Sequence, residues 1–223
     1  MIVTIDGPAG SGKSTVAKRV AECLGFHYLD TGAMYRAVAF LALASGIRPN
    51  DEVAVTRLAM ENEVTFAHEP GEALPSRVFI GGDDVTSAIR TPGVDEAVSA
   101  VARMPRVRDA MLVHQRAIGR SSDIVIEGRD IGTVVFPDAK LKVFLTATPE
   151  ERARRRAAQQ ALSGLLVDTA GVRESMLRRD EADSSREVAP LTPADDAVLL
   201  DTTGLSIDQV VERIAELARE RVE

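Results

Sequence analysis

The chain has 223 residues, 45% of them hydrophobic and 27% charged, with a formal net charge of -7. That is enough chain for a sizeable core, and the acidic balance speaks against a nucleic-acid partner, which needs a positive field. No apolar run is long enough to span a bilayer, the residues Met1 to Asp6 carry no secretory signal pattern, and the single Cys23 offers neither a disulfide nor a zinc framework; the expectation is a cytoplasmic protein with no membrane partner.

Ile2-Val3-Thr4-Ile5 is a β-branched run that stops at Asp6-Gly7-Pro8 and reads as a buried strand. Val16, Ala17, Val20, Ala21 and Leu24 form an apolar stripe on a helix over 13–24, closed by Gly25. His27-Tyr28-Leu29 is a short extended piece. Thr31 then reads as the cap of a helix that runs through Ser45 to Gly46. Residues 64–67 and 77–80 flank a turn rich in Pro, Gly and Glu, and predict a small antiparallel insert over about 63–92. Helical periodicity returns over 93–119, broken near Pro105. Strands are predicted at 124–126, 141–145 and 198–200, with helices at 149–162, 172–183 and 207–222. Strands alternating with helices imply an α/β fold with a parallel sheet, here of five strands, flanked by helices.

The segment Gly7-Pro8-Ala9-Gly10-Ser11-Gly12-Lys13-Ser14 matches G-x-x-x-x-G-K-[ST] in full and lies between a strand and a helix. A glycine-rich loop turns its N–H groups inward as an anion nest, and the helix N-terminus adds partial positive charge at the same point. Lys13 can reach the β- and γ-phosphates, the Ser14 hydroxyl can ligate Mg²⁺, and Thr15 can add a hydroxyl at the α-phosphate. The fold expected is therefore a P-loop NTPase fold with ATP as a ligand. A P-loop by itself does not separate kinases from switches or motors, although no N-K-x-D base-reading motif is present.

Three further clusters carry anion-binding residue types. Thr31 and Arg36 follow the second strand. Glu127-Gly128-Arg129-Asp130-Ile131-Gly132 follows the strand at 124–126, where ligands of open α/β sheets bind. Arg179 and Asp183 lie one helical turn apart in Arg178-Arg179-Asp180-Glu181-Ala182-Asp183-Ser184-Ser185-Arg186.

The segments IDGPAGSGKST, LDTGAMYR, PRVR, EGRDIGTVVFPDA and RRDEADSSREVAPL, in this order over nearly the whole chain, resemble bacterial cytidylate kinases of the P-loop nucleoside monophosphate kinase group. The resemblance implies a monophosphate site. Thr31 matches the hydroxyl residue near the nucleotide phosphate, and Arg36, Arg129 and Arg186 match the arginines that hold it. Tyr35 matches an aromatic lining the pocket. Ser99, Arg108 and Asp130 match the readers of the cytosine edge, while Arg179 and Asp183 match the pair on the sugar hydroxyls. The resemblance also implies a single kinase domain over 1–223. Its core would be 1–62, 93–150 and 169–223, its monophosphate-binding insert about 63–92, and its helical lid about 151–168. The chain is expected to act as a monomer.

Within that lid Arg152, Arg154, Arg155 and Arg156 crowd one helix. Arg152 and Arg156, at i and i+4, lead as contacts to the moving phosphoryl group, with Arg155 next. The function implied is ATP-dependent phosphorylation of CMP and dCMP. Alternatives are a kinase for UMP, AMP or shikimate, or a nucleotide-binding regulatory module. No general base is called for, because a phosphate monoester with a second pKa of about 6 is already largely a dianion at neutral pH. His27, His68 and His114 accordingly sit in no catalytic constellation. Asp30 and Glu127 are both candidates to support Mg²⁺ beside Ser14.

Overall fold

A computed structural model describes residues 1–69, 71–162 and 168–221. The chain opens with β1 (Ile2–Asp6), α1 (Lys13–Leu24), β2 (His27–Asp30), α2 (Thr31–Ala44) and α3 (Glu52–Glu61). The strands β3 (Val64–His68), β4 (Pro75–Ile80) and β5 (Asp83–Asp84) come next, followed by α4 (Pro92–Ala102), α5 (Pro105–Gly119) and β6 (Ile124–Gly128). The last elements are β7 (Leu141–Thr146), α6 (Pro149–Leu162), α7 (Thr169–Ser184), β8 (Val198–Asp201) and α8 (Ile207–Glu220).

Five of these strands form one parallel sheet in the order β2-β6-β1-β7-β8. The register puts Asp30 opposite Glu127 and Asp6 opposite Gly128, so Asp30 and Glu127 end level and Asp6 ends one residue further along the same edge. Successive side chains of a strand point to opposite faces. Ile124 and Ile126 of β6 therefore enter the core under α2, α4 and α5, while Val125 between them packs under α1 and α8. The two apolar cores clamp the sheet and fix the heights at which its strands end.

The second sheet, β3-β4-β5, is antiparallel. Its inward residues Val64, Val78 and Ile80 join the core under α2, which docks this insert beside the second strand of the main sheet. Pro92 and Pro105 each open a helix, where a missing N–H costs nothing, and so divide the periodic stretch 93–119 into α4 and α5. The helix α3 is not among the elements predicted from sequence: its buried positions Val55, Thr56 and Ala59 form too short a stripe to stand out. Asp51 caps it, accepting from Ala54 N–H at 3.1 Å. Of the lid expected at 151–168, residues 163–167 lie outside the described residues, as do Pro70 of the insert and Val222 at the end of the last predicted helix. No described helix is long and apolar enough to cross a membrane.

Candidate active site

The turn between β1 and α1 passes so close to β7 that a Cβ on Gly7 would stand 2.1 Å from the Leu145 carbonyl oxygen. Gly12, at φ 91°, takes a left-handed conformation to cap α1. The Lys13 side chain arches back over the loop and donates to Pro8 O at 3.1 Å. Burial, and then the charge of Arg129, bring its pKa down to about 7. The Ser14 hydroxyl donates to Glu127 Oε2 at 2.8 Å, and the Tyr28 hydroxyl donates to Glu127 Oε1. Glu127 is buried, and burial together with the Asp30 charge raises its pKa. Ser14, Glu127 and Asp30 make a hard-oxygen donor set of the kind that suits Mg²⁺ with part of its water shell retained. The exposed Thr15 follows on the first turn of α1.

Across the sheet edge lies a cluster of guanidinium groups. Arg129 Nε donates to Asp183 Oδ2 at 2.9 Å, and Arg186 Nε donates to Asp183 O at 3.1 Å. Arg179 Nε and Arg186 Nη2 are buried without a hydrogen-bond partner, an arrangement proteins normally avoid. Burial, Arg129 and Arg36 push the Arg179 pKa down to about 10. Arg129 and Arg179 in turn act on Lys13, so the cluster and the P-loop lysine lie within electrostatic range of each other. Buried donors and concentrated positive charge facing a P-loop describe a second anion cradle.

Beside it, Arg108 is held by Asp130 and by Ala102 O at 3.0 Å, and its guanidinium lies 5.6 Å from the centre of the Tyr35 ring. Tyr35 is itself hydrogen-bonded by Gln115. Ser99 is half-buried on α4. The Asp130 loop is held by Asp6, whose two carboxylate oxygens accept from Ile131 N–H at 2.9 Å and Gly132 N–H at 2.8 Å. Burial outweighs those two bonds and pushes the Asp6 pKa up to about 6.

The three lid arginines expected at the phosphoryl group, Arg152, Arg155 and Arg156, make different contacts. Arg152 is buried; it donates to Ala147 O at 3.1 Å and Ala9 O at 3.0 Å, and pairs with Asp180. Asp180 also accepts from Ala9 N–H at 3.2 Å, so α6 and α7 are both fastened to the P-loop. Arg155 donates to Ser11 O at 3.2 Å and to Thr202 O at 2.7 Å. Arg156 points elsewhere, donating from Nη1 to Gln159 Oε1 at 2.9 Å and from Nη2 to Asp95 Oδ2 at 3.4 Å. Arg152 and Arg155 thus reach the P-loop, while Arg156 reaches toward α4.

One reading needs correction. Asp30, not Thr31, caps α2, accepting from Ala33 N–H at 3.1 Å. Asp30 has the extended backbone of a cap residue, whereas Thr31 is already helical. The Thr31 hydroxyl instead donates to Glu127 O at 2.7 Å, so its single proton is committed to β6. Sequence reasoning also missed Asp6, Tyr28, Asp95 and Asp180. Two of these carried a usable signal: Asp6 ends the strand that feeds the P-loop, and Tyr28 is one of only 2 tyrosines, the other being Tyr35 in the pocket.

A family model described as Cytidylate kinase matches residues 3–220. The cytidylate kinase of Geobacillus kaustophilus is 48% identical over 99% of this chain and 97% of its own length. The bifunctional pantoate ligase/cytidylate kinase of Synechococcus elongatus is 50% identical over 99% of this chain, and this chain spans 42% of that longer protein. An uncharacterized protein from Eubacterium ventriosum matches in structure, with a TM-score of 0.53 and 14% identity over 97% of this chain and 96% of that one. At that identity the likeness speaks for the fold alone.

Proposed function

Because the chain belongs to the cytidylate kinase family, we propose that it transfers the terminal phosphoryl group of ATP in line to the phosphate of CMP or dCMP. The observation that supports this best is the pair of cradles: a P-loop lysine whose pKa falls to about 7 under burial and the charges of Arg129 and Arg179, near buried guanidinium nitrogens without a hydrogen-bond partner. A switch protein has no use for the second cradle.

In this reading the loop amides and Lys13 hold the triphosphate of ATP. Arg36, Arg129 and Arg186 hold the acceptor phosphate, and Arg179 and Asp183 hold the sugar hydroxyls. Mg²⁺, when bound, screens the charge of the triphosphate, and Ser14 and Glu127, with Asp30 behind them, are the residues that would hold it. Arg108 and Ser99 supply donors, and Asp130 an acceptor, for the amino, carbonyl and ring-nitrogen pattern of cytosine, with Tyr35 as a wall. A base of the wrong pattern leaves those buried groups unpaired, which is where discrimination arises. Catalysis is positioning plus charge neutralisation, with no proton to remove from a dianionic acceptor.

The test is a coupled assay offering CMP, dCMP, UMP, AMP, GMP and shikimate at equal concentration with MgATP. CMP and dCMP are expected to exceed the purine nucleotides in kcat/KM by about two orders of magnitude or more. Comparable rates with AMP, or ATP hydrolysis without transfer to any acceptor, would sink the proposal.

A further inference from the structure

Asp95 lies in the first turn of α4 and faces the arginine cluster. Arg36 Nη2 donates to its Oδ1, and Arg156 Nη2 donates to its Oδ2 at 3.4 Å. Asp95 and Arg156 are each about one third exposed, so water and solutes reach the pair. Arg36 belongs to the acceptor cradle. Arg156 rides on α6, the helix whose Arg152 and Arg155 grip Ala9 and Ser11 of the P-loop. One carboxylate thus links the acceptor side of the cleft to the helix that lies on the ATP side.

The geometry makes this carboxylate a rival of any phosphate. Arg36 Nη1 already donates to Ile89 O at 3.1 Å, and Nη2 is taken by Asp95. A planar guanidinium grips a phosphate through two neighbouring N–H groups, so a phosphate that takes Nη2 of Arg36 competes with Asp95 for it. Asp95 also contributes to the field at Arg179, where together with Asp183 it offsets the repulsion from Arg129 and Arg36.

We propose that Asp95 is a built-in competitor of the acceptor phosphate and a latch on Arg156. A bound monophosphate competes with Asp95 for both guanidinium groups, drawing Arg36 onto the acceptor and Arg156 toward the transferring group. The acceptor would thereby license its own phosphorylation and leave water a poor substitute. The inference rests on reading the arginine cluster as the acceptor site. A purely structural part for Asp95, as an acid in a helix first turn, would change melting temperature without improving ligand affinity.

The experiment compares wild type, Asp95→Asn, Asp95→Ala and Asp95→Glu. Calorimetry measures CMP and inorganic phosphate binding, steady-state kinetics gives KM for CMP and ATP separately, and ATP hydrolysis is followed without acceptor. Asp95→Asn and Asp95→Ala are expected to bind both probes about three- to tenfold more tightly, the range of a partly exposed ion pair removed. They should lower KM for CMP but not for ATP, and raise acceptor-free hydrolysis several-fold; Asp95→Glu should restore the wild-type pattern. Unchanged or weaker binding of both probes in folded Asp95→Asn, as judged by its melt, overturns the inference. Tighter phosphate binding by the variants of a protein that never phosphorylates CMP would sustain the latch and count against the cytidylate reading instead.

Discussion

The two anion cradles are made of different materials. The P-loop is one unbroken stretch, Gly7 to Ser14, whose donors are mostly backbone amides fixed by glycine geometry and by the start of α1. The proposed acceptor cradle is made of side chains drawn from α2, the loop after β6, α7 and the residues just beyond it, and its arginines pair with Asp95 and Asp183. A backbone nest carries only partial charges and holds its shape regardless of what is bound. A guanidinium cluster repels itself, and so needs resident carboxylates, which a ligand must then displace or accommodate. The first site is rigid by construction and the second adjustable, which suits one that must choose among acceptors.

The largest expected effect falls on the one mobile charge of the rigid cradle. Lys13→Met should lower kcat/KM by about 100- to 1000-fold, the usual loss when a donor to developing charge is removed. The same change should stabilise the ligand-free protein, because a buried lysine among arginines opposes folding in its charged form. The linkage has a definite sign. The Lys13 pKa falls from 10.5 to about 7 on folding, so between those values the unfolded chain binds more protons and wild-type stability rises with pH. Thermal melts from pH 7 to 10 should show that slope in wild type and a flatter profile in Lys13→Met. A variant that keeps most of its activity, or melts below wild type at pH 7, would show that the lysine is not under electrostatic strain.

The next effect addresses the adjustable cradle. Asp6→Ala leaves the Ile131 and Gly132 amides without their acceptor, at a cost of about 2–4 kcal/mol for two buried donors. The loop that carries Arg129 and Asp130 should then loosen. KM for CMP should rise by roughly tenfold, well beyond any change in KM for ATP, since a mis-set grip weakens acceptor binding by about a kcal/mol or more. An equal rise in both constants would mean that the two cradles are not separable in the way their construction suggests.

That difference in material also explains what the sequence disclosed. The P-loop was legible because its parts are adjacent and the strand before it and the helix after it are short, periodic and capped by glycine. The five main strands were legible for the same local reasons, as was the break at Pro105. The acceptor cradle could be drawn only through resemblance, since nothing local says that Arg36 and Arg186 face one ligand. Asp6 and Tyr28 escaped notice because their partners stand 125 and 99 residues away along the chain. The Thr31 cap was misassigned by one position because Asp30 and Thr31 are both good capping residues, and only β6, which takes the Thr31 proton, decides between them.

The smallest expected effect tests where the two materials meet. Glu127 accepts from Ser14 of the P-loop on one oxygen and from Tyr28 of β2 on the other. The Tyr28 hydroxyl therefore fixes which way the carboxylate turns, and with it the part of the donor set offered to Mg²⁺. Tyr28→Phe removes that bond while preserving the ring between α1 and the sheet. The buried oxygen left behind should destabilise the fold by about 1 kcal/mol, and activity at saturating Mg²⁺ should fall only a few-fold. The Mg²⁺ concentration needed for half activity should rise several-fold, because a carboxylate free to rotate is less well preorganised. A melt lowered by a few degrees with an unshifted Mg²⁺ titration would make Tyr28 a packing residue alone. It would also assign the orientation of Glu127 to Ser14, and so to the rigid cradle.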